Sequence, residues 1–226
     1  MLENIRIVGT SHVAPESSVK VEKVIKDFKP DVVAVELDKQ RLFALLHPEK
    51  AGVSFRDIKR VGFKGWLFGV LGAWIEKKIG KRVGVFPGDE MVKAVKAARD
   101  VGARVAVIDR PVQVTLKRFG RFLSWKEKGR FVVDFFKGLF GKGIRFDVSK
   151  VPSDKVVREL IGIVKSRYPN VYRVLIEERN VFMAKQIVKL LRGSPDLRVV
   201  VVVGIGHEAG LRRLLKRYLK PGVFVV

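Results

Sequence analysis

Two stretches decide how this chain folds, "NIRIVGTSHVAPESS" (residues 4–18) and "RVVVVVGIGHEAGL" (residues 198–211). In each, a short apolar run rich in branched residues stops at Gly-x-x-His and a helical pattern follows. Continuous apolar runs of this length read as buried strands. Two such strands, each ending in glycine and histidine, predict a parallel sheet with matching groups at the carboxyl ends of its strands. His12 and His207 occupy the matching positions, and the chain has only three histidines.

Working outward, strands and helices alternate. "IRIVG" (5–9) is a strand, and Ser17 and Ser18 are placed to cap the helix "VKVEKVIKDF", which stops before Pro30. "DVVAVE" (31–36) is a second strand and "DKQRLFALL" (38–46) a second helix. "DEMVKAVKAARDVGA" (89–103) has helical spacing and ends at Gly102. "RVAVID" (104–109) and "LRVVVVVG" (197–204) are further strands, and "GVFVV" (222–226) reads as a last one. Between them lie the long helical patterns "SDKVVRELIGIVKSR" (153–167) and "VYRVLIEERNVFMAKQIVKLL" (171–191), and "EAGLRRLLKRYL" (208–219) follows the fourth strand. This order predicts an α/β fold, a mostly parallel central sheet with helices on both faces. One domain is expected over residues 1–226. Two Phe/Trp/Lys/Arg/Gly-rich stretches, at about 53–84 and 115–150, read as helical excursions.

Composition sets further bounds. The 226 residues are enough for a real core. With no cysteine, disulfides, thiolate metal sites and a cysteine nucleophile are excluded. Asn and Gln are confined to Asn4, Asn170, Asn180, Gln40, Gln113 and Gln186. Such scarcity beside abundant Lys, Arg and Glu leans toward a thermophile. "MLENIRIVG" does not have the form of a signal peptide, and no run of eighteen apolar residues predicts a spanning helix. A cytoplasmic place, or one peripheral to a membrane, is expected. The net charge of +23 favours anionic partners. Without a recognised motif, charge alone does not argue for nucleic acid. The basic aromatic excursions suit an anionic membrane surface or a homodimer contact.

In open parallel sheets, ligands gather at the carboxyl ends of the strands. Those ends carry Gly9, Thr10, Ser11 and His12, then Glu36 and Asp38, then Asp109 and Arg110, then Gly204, Gly206 and His207. Two histidines and a carboxylate suffice as a first shell for a catalytic divalent ion. The ion would activate water or polarise a carbonyl, with a further carboxylate as general base. Glycine lets the chain turn sharply and approach a ligand closely. His47 reads as structural. The triplet Gly204, Gly206 and Gly210 lacks the downstream acidic residue of a dinucleotide site. In "LIEERNVFMAKQI", the run Glu177, Glu178, Arg179 and Asn180 reads as a solvated stripe opposite a buried side marked by Val174, Phe182 and Ile187.

Four ordered blocks resemble the TraB/PrgY family: "GTSHVAPESSVKVEKVIKDFKPDVVAVELDKQR", "PGDEMVKAVKAARDVGARVAVIDRPVQVTLKR", "EERNVFMAKQI" and "VVVVGIGHEAGL". That family is related to GumN proteins and TIKI metalloproteases, and more distantly to the ChaN and erythromycin-esterase-like group. The resemblance implies an α/β fold with paired Gly-x-x-His loops and a metal-dependent hydrolase site acting on peptides. The implied ion is manganese, cobalt or zinc. His12 and His207 correspond to the loop histidines, Glu36 to the strand-end acid, Arg179 and Asn180 to a polar pair on the long helix. Asp109 and Arg110 match the middle block. Gly-Ile-Gly-His replaces the more usual Gly-Ala-Gly-His. Gly9, Thr10, Ser11, Gly204, Gly206 and Glu178 are candidate binding groups. The alternative is a regulatory protein that binds a peptide or small anionic ligand in the same pocket without turnover, with Arg110 and Arg179 pairing a carboxylate or phosphate.

Overall fold

The computed structural model describes residues 2–11, 15–47, 88–139 and 154–220. His12, the 53–84 excursion and the "GVFVV" segment lie outside these residues.

Among the described residues four strands form one sheet: β1 (Ile5–Thr10), β2 (Val32–Val35), β3 (Arg104–Val107) and β4 (Val199–Gly204). Their order is β1-β4-β2-β3, and every pairing is parallel. The register sets Thr10 against Gly204 and Val35 against both Val202 and Val107. All four carboxyl ends therefore meet at one edge, as the strand pattern predicts.

The valine run of β4 shows why this strand is central. Its residues are buried throughout, and side chains alternate between faces. Val199, Val201 and Val203 join one core cluster, Val200 and Val202 the other. A half-buried strand needs alternation; one buried on both faces tolerates none.

On one face lie α1 (Pro15–Phe28), α2 (Lys39–Leu46) and α3 (Asp89–Asp100), contributing Val21, Ile25 and Ala94 to the core and Leu42 and Leu45 to its edge. The other face is covered by α8 (Glu178–Gly193) and α9 (Ile205–Tyr218), through Met183, Ile187, Leu211 and Leu215. The part of the 115–150 excursion that is described holds α4 (Val112–Phe122) and α5 (Trp125–Leu139). Next come α6 (Asp154–Arg167) and the short α7 (Pro169–Tyr172).

Three local readings change. Ser17 and Ser18 do not cap α1, which starts at Pro15; Ser17 Oγ instead accepts from the Ser11 amide at 3.1 Å. The long helical pattern from residue 171 is not uniform, because a π-helical turn (Arg173–Glu177) precedes α8. And α9 begins at Ile205, so His207 sits on the first turn of a helix and not in a loop. Gly102 behaves as read: its φ of 73° is the left-handed position just beyond α3.

Candidate functional site

β2 feeds α2 and α3 on one face, and β4 feeds α9 on the other. The gap between these neighbouring strands is thus the topological switch point, where a crevice opens beyond the strand ends. Glu36 follows β2 and His207 follows β4, so both arrive there by chain order alone.

Glu36 is buried, and its Oε2 accepts from the Gly204 amide at 2.7 Å, tying the ends of β2 and β4 together. Its Oε1 faces His207 Nε2 at 3.3 Å and accepts from Arg179 Nη2. His207 Nδ1 lies 2.7 Å from Asn180 Oδ1. An amide oxygen only accepts, so Nδ1 carries the proton and Nε2 is left as the acceptor met by Arg179 Nη1 at 3.2 Å.

Arg179 reaches this place from α8. Its Nε and Nη2 donate to Asp109 Oδ1 and Oδ2 at 3.2 and 2.7 Å, and its Nη1 also donates to Leu175 O at 3.2 Å. With Glu36 and His207, every guanidinium N–H has an acceptor. Burial works against the Arg179 charge, but the Glu36 and Asp109 carboxylates outweigh it and hold its pKa above the ordinary arginine value. Asp109 Oδ2 has a second cation, Arg41 Nη1, at 3.5 Å.

The solvated-stripe reading of residues 177–180 is therefore overturned. Only Glu177 is exposed. Arg179 and Asn180 grip the two sides of one imidazole. Glu178 turns elsewhere, accepting from Arg118 Nε at 2.5 Å and Arg110 Nη1 at 3.1 Å. The Arg118 hydrogen bond lowers the Glu178 pKa; burial opposes it, and the bond from Arg110 adds to the lowering.

Arg110 is also placed apart from Arg179. Its Nη2 donates to Val174 O at 2.8 Å, and its Nε to Thr115 Oγ1 at 2.9 Å. It thus ties α4 to the π turn. Asp38 caps α2 by accepting from the Gln40 and Arg41 amides at 2.8 and 2.9 Å. Thr10 Oγ1 donates to Val203 O at 3.2 Å, and Ser11 bonds Ser17. His47 ends α2, with its ring 4.7 Å from that of Phe43, in keeping with a structural role.

The glycines make room and do not turn the chain sharply. Gly204 has an ordinary φ of −59°. A Cβ on Gly9 would come within 2.6 Å of Glu208 Oε2, one on Gly206 within 2.9 Å of Ile161 Cδ1, and one on Gly210 within 2.2 Å of Asn180 Nδ2. Gly210 therefore lets α9 lie against the residue that holds His207.

For a divalent ion the fit is partial. Glu36 Oε1 and His207 Nε2 are donors of the right kind, and 3.3 Å suits two ligands on one ion with bonds of about 2.0–2.2 Å. The Asn180 bond on the opposite ring nitrogen is the support that a ligating histidine ordinarily has. Arg179, however, already supplies positive charge between the same two donors. Among the described residues no three His, Asp or Glu side chains gather as a ligand set. Arg41 was missed by sequence reasoning; its only signal was its place beside Asp38 in "ELDKQR".

No helix among the described residues is long and apolar enough to cross a membrane. Residues 2–225 match the TraB/PrgY/gumN family. An uncharacterized protein of Methanocaldococcus jannaschii is 34% identical over 224 residues, covering 95% of this chain and 54% of that protein. TraB domain-containing proteins of Homo sapiens and Mus musculus are 28% and 27% identical over 236 residues, covering 92% of this chain and 62% of theirs. The chain thus spans somewhat over half the length of these relatives. The strand-end cluster and a match over nearly the whole sequence lead to one conclusion: this chain belongs to the TraB/PrgY/gumN family.

Proposed function

We propose that the chain is a metal-dependent peptide hydrolase centred on Glu36, Arg179 and His207. The observation that carries this reading is the orientation of His207. Nδ1 is committed to Asn180, and Nε2 faces Glu36 Oε1 at 3.3 Å in a buried setting. Glu36 and His207 would hold the ion, with His12 of the preceding Gly-x-x-His as the third donor. A bound divalent ion lowers the pKa of a water and polarises a carbonyl. Asp109 keeps Arg179 at the centre; with Glu36 Oε1 and His207 Nε2 turned to the ion, the Arg179 N–H groups that now meet them would be released toward negative charge developing on a carbonyl oxygen. Asp109 is engaged by Arg179, Arg41 and the Arg110 amide, so its part is to position the guanidinium. The peptide class rests on the resemblance to TIKI metalloproteases.

A second reading has its own observation. Arg179 satisfies Glu36, Asp109 and His207 together, so the cluster is balanced with no ion. On that reading the protein binds a peptide or small anion without turnover. Incubation with a peptide library and Mn²⁺, read by mass spectrometry, separates the two. The hydrolase reading expects new cleavage products that disappear in Glu36→Gln. Saturable peptide binding with no product supports the binding protein.

A further inference from the structure

β3 is an edge of the sheet among the described residues. Arg104 and Ile108 donate their amides toward β2, to Asp31 O at 2.9 Å and Val35 O at 3.1 Å. In a parallel ladder successive residues alternate sides, so Val105 and Val107 turn their N–H and C=O groups outward. Two cavities lie along this edge, of ≈ 360 and ≈ 430 Å³, between β3 and the flank of α8. Val107 and Gln186 line both, so they form one groove. Its upper end is lined by Phe182, Pro111 and Asp109, the residue that holds Arg179.

The groove has a net charge preference. Asp38 is consumed by the amides of Gln40, Arg41 and Val112, and Asp109 by Arg179, Arg41 and the Arg110 amide. Lys39 at one end, and Arg104 and Lys189 at the other, line it without an ion pair among the described residues. An outward row of backbone donors and acceptors beside a groove is the recognition mode for an extended chain that adds as a strand.

We propose that the groove between β3 and α8 binds an extended acidic peptide. Its backbone pairs with Val105 and Val107, and its acidic side chains meet Lys39, Arg104 and Lys189. The strand direction carries the bound chain to Asp109, so the proposal names the substrate of the hydrolase reading, on which it rests for turnover but not for binding.

The test uses a fluorescein-labelled, end-capped hexapeptide of alternating glutamate and valine. Its binding to the whole chain, with and without Mn²⁺, is followed by anisotropy, and mass spectrometry checks whether the peptide stays intact in the Mn²⁺ arm. N-methylating the amides on one peptide edge is expected to weaken binding at least tenfold, since it removes ladder bonds and leaves the charges. Lys189→Glu, on an exposed helix position, is expected to weaken the glutamate peptide and favour a lysine–valine counterpart. Equal binding of the N-methylated peptide, or a lysine peptide bound by the unaltered chain as tightly as the glutamate one, overturns the groove. Tight, ladder-dependent binding of a peptide that is never cleaved upholds the groove and removes the hydrolase reading. Cleavage indifferent to both N-methylation and Lys189→Glu does the reverse.

Discussion

Arg179 is the residue on which the centre turns. It is a buried cation held by two carboxylates, one imidazole nitrogen and a carbonyl. Truncating one partner of such a group leaves the others unpaired, at a cost of about 3–5 kcal/mol. Arg179→Met is expected to lose that much in urea unfolding, while Arg41→Met, which removes a half-exposed cation at 3.5 Å, loses under about 1 kcal/mol. Similar losses for both would mean that Arg179 is not the shared partner. Asn180→Asp sets a carboxylate against His207 Nδ1 and is expected to raise the His207 pKa. NMR titration reads this directly, with His47 as the internal reference.

Glu36, Asp109 and His207 were legible in the sequence because each comes within three residues of the end of an apolar strand run, and strand ends in a parallel sheet share one edge. Arg179 and Asn180 were legible only through the family resemblance. Their helix pattern reads as a polar stripe, and nothing in the spacing of "EERN" shows that a long side chain reaches inward.

At the scale of elements, the π turn at Arg173–Glu177 sets the rotation at which the following helix brings Arg179 and Asn180 to the centre. An inserted residue shifts the helix that follows by about 100° relative to an uninterrupted one. Arg110 holds this turn through Val174 O and Glu178. Deleting Ile176 is expected to restore a regular helix and displace both Arg179 and Asn180. The His207 resonances should then shift while the far-ultraviolet spectrum stays helical. A π turn was not legible, because its residues, "RVLIE", have ordinary helical propensity.

The start of α5 carries a capping box missed in the sequence pattern. Ser124 N donates to Glu127 Oε2 at 3.0 Å, and Glu127 N donates to Ser124 Oγ at 3.2 Å. The same carboxylate accepts from Asn170 N and Nδ2, at 2.8 and 2.9 Å, joining α5 to α7. Burial pushes the Glu127 pKa up, but the bonds from Asn170 and Ser124 outweigh it, and the net shift is downward. A lowered folded-state pKa stabilises the fold above the unfolded value, near 4.5, and that contribution fades as pH falls through the folded value. The stability difference between the unaltered chain and Glu127→Gln is expected to be constant above about pH 5.5 and to shrink below 4.5. Denaturant midpoints from pH 3 to 7 read it; a difference that grows on acidification would contradict the assignment.

For the whole molecule, the order β1-β4-β2-β3 matters more than any single contact. It places β4 beside both β1 and β2, so the segment after β1, the Glu36 segment and α9 all leave the sheet side by side. The parallel sheet, its two covered faces and its common carboxyl edge were readable from alternation and from the valine run. The strand order was not, since hydropathy does not say which neighbour a doubly buried strand takes. That order in turn leaves β3 at an edge among the described residues, with the groove beside Asp109 along it.

The central claim is that Glu36 and His207, with His12 of the preceding segment, take a divalent ion at the switch point. Calorimetric titration with Mn²⁺, Co²⁺ and Zn²⁺ of the unaltered chain, of the double variant His12→Ala/His207→Ala and of His47→Ala tests it most directly. One site in the unaltered chain and in His47→Ala, lost in the double variant, is the expected result. Binding unchanged by loss of both site histidines, or no binding to the unaltered chain, would contradict it.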